Sequence, residues 1–306
     1  MRIVHASFGN LVPTPVERFE LVKKLKWFLQ ALLIIFPIYL IFPGMQAPVI
    51  AKEALPWKTL EPGLELGAFE AKIPSKYSDS LIRVLRIDPK FFEFKLLNAS
   101  ATQDKKKKSV RDWVKQNGMV AGINASMYQK DFLTSVSLMK TEKHVNSSWF
   151  SKDKTVLVFD PIDKSLPPVQ IIDRDCDDFS KIRKQYKTQV QSIRMVSCHQ
   201  ENVWERQNKI WSTSAIGWDG SGNILFIHVR SPYSPHDLIN MLLKLPIDLK
   251  RAMYVEGGPD AQMFIRSNKQ EHEFIGSYST GSHESDKNHI GWPVPNVVGI
   301  KRKAAK

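Results

Sequence analysis

From residue 60 onward, apolar and polar residues tend to alternate with the period of two that turns one face of a strand toward a core. The stretches LEPGLELGAFEAKI (60–73) and SLIRVLRIDPKFFEFKLLNAS (80–100) show it first. They are rich in β-branched and aromatic residues, carry Asp88-Pro89 as a turn between strands, and read together as a β-hairpin. KTVLVFDP (154–161), PPVQIID (167–173), TQVQSIRMVS (188–197), STSAIGWDGSGNILFIHV (212–229) and VPNVVGIKRK (294–303) read as further strands, and Asp219-Gly220-Ser221-Gly222 as a hairpin turn between two apolar arms.

Two stretches change to a helical period. In SVRDWVKQNG (109–118), Ser109 is a candidate N-cap, Val110, Trp113 and Val114 fall on one face, and Gly118 is a fitting stop. In SPHDLINMLLKLP (234–246), Ser234 is the candidate cap, Pro235 occupies the first helical position and Pro246 follows the end. Each helix runs into a strand that closes on a polar or glycine-rich turn: MVAGINASMY (119–128) and RAMYVEGG (251–258). SNKQEHEFIGSYSTGSHESDKNH (267–289) is polar, rich in Gly and Ser and without periodicity, and reads as a long surface loop. Many strands with few helices predict an α+β protein with a mixed or antiparallel sheet in a single main domain, residues 51–306.

The N-terminus departs from this pattern. Residues 27–42, WFLQALLIIFPIYLIF, are apolar throughout and follow a segment (1–26) containing Arg18, Lys23, Lys24 and Lys26. A bilayer takes about 20 apolar residues to cross, and residues 45–50 extend the run, so 27–50 reads as a signal or membrane anchor. The basic flank places the N-terminus in the cytoplasm and the main domain in the periplasm or outside the cell. An uncleaved anchor is the expectation. Val49 and Ala51 also fit a cleavage site that would release a secreted form.

The formal net charge is +13 over 306 residues, with basic excess at the N-terminus, at Lys105–Lys108 and at the C-terminal tail. This dispersal argues against a nucleic-acid face, which needs basic groups along one phosphate track, and favours anionic lipid or acidic polymers. Cys176 and Cys198, in an exported domain, are free to form a disulfide or to remain two thiols. Histidines 272, 283 and 289 lack zinc-site spacing. No cofactor is required by any motif, and a divalent cation held by Glu256, Asp260 and backbone carbonyls would leave no signature in the sequence.

In order, VAGINASMY, VQSIRMV, SAIGWDGSGNILFIHV, the helix from Ser234 and AMYVEGGPDAQMF resemble the phosphodiester glycosidase family, from about Trp57 to Lys301. Asn124, Gln191, Gly257 and Gly258 match the family's pattern. Ala125 and Ser126 replace two glycines, Thr213-Ser214 replaces Arg-Thr, Glu256 replaces an aspartate, and Pro259-Asp260 replaces Gly-Ser. The resemblance implies an exported hydrolase that cleaves a sugar-1-phosphodiester or related glycosidic linkage in envelope or exopolysaccharide metabolism. Its acids are Glu256 and Asp260, since paired carboxylates supply an acid and a base or nucleophile. Asn124, Ser126, Gln191 and Arg194 would hold sugar and phosphate, and Gly257 and Gly258 would let the ligand approach the backbone. The altered motifs also suit a second reading, a non-catalytic periplasmic module that binds acidic polysaccharide. The lysine run reads as a solvated loop.

Overall fold

The structure, a computed structural model, describes residues 57–304. The apolar segment 27–42 and the cleavage position after Ala51 lie outside them. Among the described residues, no helix is long and apolar enough to cross a membrane.

Strands, numbered here in chain order, form three sheets. The first is ordered β1 (Trp57–Glu61), β2 (Leu64–Glu70), β3 (Leu81–Ile87), β13 (Ile224–Tyr233), β12 (Trp211–Asp219), β14 (Leu249–Gly257) and β11 (Arg194–Val196). The second is β7 (Val145–Ser147), β6 (Met139–Lys140), β10 (Tyr186–Ser192), β8 (Thr155–Pro161) and β9 (Val169–Asp173). The third is β16 (Gln270–Ile275), β15 (Gln262–Ser267), β5 (Ala121–Asn124), β17 (Asn296–Arg302) and β4 (Phe92–Asn98). Every pairing is antiparallel.

Alternation along the strands explains how three sheets share one interior. Phe226 in β13 and Leu85 and Ile87 in β3 turn to a core that also takes Phe94, Ile123, Leu157, Val190, Met253 and Val298 from all three sheets. Leu225, Ile227 and Val229 turn the other way and are covered by Leu238, Ile239 and Leu242 of the helix Pro235–Leu242. Ser234 caps that helix, accepting from the Asp237 N–H at 3.2 Å, and Pro235 is its first residue. The helix Val110–Gln116, capped by Ser109, lays Val110, Trp113 and Val114 on the outer face of the third sheet. There Gly122 faces Gly299 across the β5–β17 pair. A Cβ at Gly122 would come within 2.7 Å of Val114 Cγ2, so the bare backbone admits the helix.

Three expectations are corrected. Asp88-Pro89 does join two strands, but they do not pair: β3 belongs to the first sheet and β4 to the third, so the turn is a corner between sheets. TQVQSIRMVS is not one strand. It passes from β10 in the second sheet to β11 in the first at Ile193, whose carbonyl accepts from the Tyr254 N–H at 2.9 Å. Alternation continues across that corner, which hides it. Finally, the polar stretch after Ser267 contains strand β16, joined to β15 by Asn268-Lys269 with both φ values positive, at 47° and 65°. As a sheet edge, β16 leaves half of its side chains in solvent and the rest only partly covered, so its sequence carries no apolar rhythm. The remainder is anchored by buried Ser277 and Asn288, with Asn288 Nδ2 donating to Gly276 O at 2.8 Å.

Candidate active site

Strands β5 and β14 bring Asn124 and Glu256 together. Ser214 of β12 lies between them: its hydroxyl donates to Asn124 Oδ1 at 2.8 Å and lies 3.3 Å from the Glu256 carbonyl. Asn124 Oδ1 also accepts from the Gln262 N–H at 3.1 Å. Its Nδ2 is buried without a hydrogen-bond partner among the described residues. The register of β12 against β14 passes from Ala215–Tyr254 to Ser214–Glu256, so Val255 is an extra residue. Such a bulge re-aims the residues after it, and here it sets Glu256 opposite Ser214. The chain then turns through a 3-10 segment, Gly258–Asp260, with Gly258 in the left-handed region at φ 60°.

Asp260 accepts a 2.8 Å hydrogen bond from the Tyr128 hydroxyl. Tyr128 stands on the loop after β5, and that loop is held by polar groups beneath it. Asn146 Oδ1 accepts from the Ser135 N–H at 2.8 Å, Asn146 Nδ2 donates to Ser100 Oγ at 2.7 Å, and Asn98 Nδ2 donates to Asn296 Oδ1 at 2.7 Å. Buried amides with satisfied partners fix a loop more sharply than apolar packing does. Beside Gly257 the surroundings are aromatic, with the Trp204 and Tyr254 ring centroids 5.7 Å apart and Trp211 6.4 Å from Tyr254.

This setting changes the acids. Glu256 is half-buried, and desolvation is the main cause that pushes its carboxyl up to about 8, followed by the charge of Asp260, against which the Gly257 N–H bond at 3.1 Å works. Asp260 is also raised by burial, but the Tyr128 hydroxyl and the Lys107 ammonium hold the rise back. Burial pushes the Tyr128 phenol well above its usual range, and Asp260 adds to this. Near neutrality Glu256 therefore bears a proton, and Asp260 is the partner whose charged form is favoured by its neighbours. One carboxyl can donate while its neighbour accepts.

The expected residues fare differently. Glu256, Asp260 and Asn124 meet as described, and Ser126 is buried behind them, 3.4 Å from Ser135 Oγ. Gln191 is wholly buried and spoken for: Oε1 accepts from the N–H groups of Leu138 and Ser151, and Nε2 donates to the carbonyls of Ser151 and Asp153. Arg194 donates to both oxygens of buried Asp173, at 2.8 and 3.1 Å, and to Asp175 at 2.8 Å. Both residues are structural ties, not ligand contacts. The expectation for Gly257 is also corrected, because a Cβ there would lie 2.3 Å from Tyr254 Oη and 2.6 Å from Trp211 Cδ1. Protein aromatic groups fill that space, and a Cβ at Gly258 would meet Ser279 at 3.0 Å. Tyr128 and Lys107 were missed. Nothing in sequence ties them to residues more than a hundred positions away.

Cys176 and Cys198 form a disulfide, with His199 Nε2 3.7 Å from Cys176 Sγ. These three side chains have metal-ligand spacing, but both sulfurs are already bonded to each other. Cavities of about 390 Å³ around His228 and about 820 Å³ beside Phe94 open on other parts of the surface. The assignment of the site rests on the desolvated acid pair, not on concavity.

A phosphodiester glycosidase family profile matches residues 117–301, which include Asn124, Tyr128, Glu256 and Asp260. Among solved structures, the catalytic domain of zebrafish N-acetylglucosamine-1-phosphodiester alpha-N-acetylglucosaminidase, auto-inhibited by its pro-peptide, is similar with a TM-score of 0.58. Identity is 12%, and the match covers 80% of this chain and 86% of that one. A hypothetical protein from Synechocystis gives 0.54 at 11% identity, covering 81% of this chain and 64% of that one. At such identities the likeness is one of fold. No curated protein sequence matches.

Proposed function

Because this chain belongs to the phosphodiester glycosidase family, we propose that it is a hydrolase that breaks the bond between the anomeric carbon of a sugar and an oxygen of a phosphodiester. The observation that carries this reading is the division of labour in the acid pair: Glu256 is protonated near neutrality beside an Asp260 that accepts from the Tyr128 hydroxyl at 2.8 Å, and whose rise by burial Tyr128 and Lys107 hold back. Water adds to the anomeric carbon as the carbon–oxygen bond breaks. Asp260 takes the proton of the incoming water, and Glu256 gives its proton to the oxygen that leaves with the phosphate. Asn124 Nδ2, buried and without a partner, is placed to donate to a sugar hydroxyl.

A positioned acid is worth about 10²- to 10⁴-fold in rate. Glu256→Gln should lower kcat by that range on a sugar phosphodiester, with unchanged circular dichroism. Full activity in the folded variant would remove Glu256 from the chemistry.

The disulfide supports an oxidising compartment for the domain. Together with the apolar segment at 27–42, it supports a domain outside the cytoplasm, tethered or released, that works on envelope or exopolysaccharide phosphodiesters. A second reading, a module that binds acidic polysaccharide without turning it over, is favoured by the engagement of Gln191 and Arg194 in structural bonds. Calorimetric titration with acidic oligosaccharides separates the two: a binder keeps its affinity in Glu256→Gln and shows no product in the wild type.

A further inference from the structure

The lysine run 105–108 ends against the acid pair. Lys107 is half-buried, with its Nζ 4.7 Å from the Phe132 ring centroid and 5.8 Å from that of Tyr128, the residue whose hydroxyl reaches Asp260. Two aromatic faces restrain an ammonium that has four rotatable bonds. It borders a cavity of about 590 Å³ with Lys108, Ser109, Arg111, Ile290 and Gly291. Of the other cations there, Arg111 is paired with Glu273 at 3.1 Å and Lys115 with Glu271 at 2.8 Å, while Lys108 lies over the Trp113 ring, 5.1 Å from its centroid. Among the described residues, Lys107 has no carboxylate within salt-bridge distance.

This arrangement answers an electrostatic difficulty. A phosphodiester is an anion, and a site that presents ionised Asp260 repels it unless a cation stands alongside. Arg194, the strand arginine that the sequence suggests for that cation, is bound instead to Asp173 and Asp175. Lys107 lies over the rings of Tyr128 and Phe132, restrained and without a carboxylate partner among the described residues.

We propose that Lys107 receives the phosphate of the substrate, and that the cavity beyond it takes the group on the far side of that phosphate. The inference rests on the acid pair being the phosphodiester-cleaving site. It makes Lys107 the residue that selects a charged leaving group over a neutral one, so the substrates it favours are phosphodiesters and not ordinary glycosides.

Calorimetric titration with glucose 1-phosphate, inorganic phosphate and glucose tests this without requiring turnover. Wild type should bind the two anions in preference to glucose. Lys107→Ala should bind them about 10- to 100-fold more weakly, the loss expected for one charge-assisted contact. Lys107→Arg should recover most of the affinity, and Lys164→Ala, a charge change on another face, should match wild type. Equal binding by wild type and Lys107→Ala, or no preference for the anions in wild type, overturns the proposal. Turnover assays on a sugar phosphodiester keep the two claims apart. Hydrolysis indifferent to Lys107→Ala retires the phosphate subsite and keeps the hydrolase, whereas Lys107-dependent anion binding without hydrolysis keeps the subsite and retires the hydrolase.

Discussion

Glu256 concentrates the argument at the scale of single residues, because the surroundings that suit it to donate a proton also cost stability. Its unfolded carboxyl titrates near 4.5 and its folded one near 8. Between those values the unfolded state releases a proton that the folded state keeps, so stability falls as pH rises from about 4.5 to 8. Glu256→Gln should relieve this, raising stability at pH 8 by roughly 2 kcal/mol after allowance for partial solvent access, with little change at pH 4. Urea denaturation at the two pH values reads the difference, and equal shifts at both would show that Glu256 is not perturbed. That Asn124, Glu256 and Asp260 lie near one another was legible because Asn124 ends β5, Glu256 stands near the end of β14 and Asp260 closes the turn that follows, positions where side chains are aimed by the backbone. Gln191 and Arg194 looked equally suitable. Their hydrogen-bond partners, residues 138–153 and Asp173, are set by how the second sheet meets the first, which no local pattern encodes. For the same reason the lysine run passed as a solvated loop, while the fold brings Lys107 to the rings of Tyr128 and Phe132.

Elements were legible where their signals are local. Both long helices start at the serine that the sequence suggests, since a hydroxyl that accepts the N–H three residues on is a chemical property of that tetrapeptide. Strand membership was not legible, because alternation says which residues face inward but not which sheet they join. β3 and β4 look like a hairpin yet belong to different sheets, and the residues of β16 are polar from Gln270 to Glu273, so its sequence shows no apolar alternation. Packing between elements yields its own prediction at Gly122. Its neighbours Val114 Cγ2 and Val297 Cγ1 would stand 2.7 and 3.1 Å from a new Cβ. Gly122→Ala should therefore push the helix Val110–Gln116 off the third sheet and cost about 1–3 kcal/mol, seen as a lower denaturation midpoint. A variant as stable as wild type would mean that the helix moves freely on that face.

At the scale of the whole molecule, three sheets close on one interior, and the Cys176–Cys198 bond joins the turn after β9 in the second sheet to the turn after β11 in the first. A bridge over 22 positions is worth about 3 kcal/mol, chiefly by restricting the unfolded chain. Reduction, or Cys176→Ala with Cys198→Ala, should lower stability by that amount while the sheets persist, and an unchanged midpoint with and without reductant would make the bond ornamental. Sequence showed that two cysteines could meet but left pairing and free thiols equally open. The third sheet has a consequence for the order in which the chain is made. β17 lies between β5 and β4, and Asn98 waits for Asn296, 198 positions later. During synthesis β4 and β5 emerge early and stand without the neighbour they share, so the sheet cannot close gradually from one end. Such distant pairing makes folding slow, and for all that interval a nascent chain stays open enough to be held by a chaperone or threaded through a narrow pore.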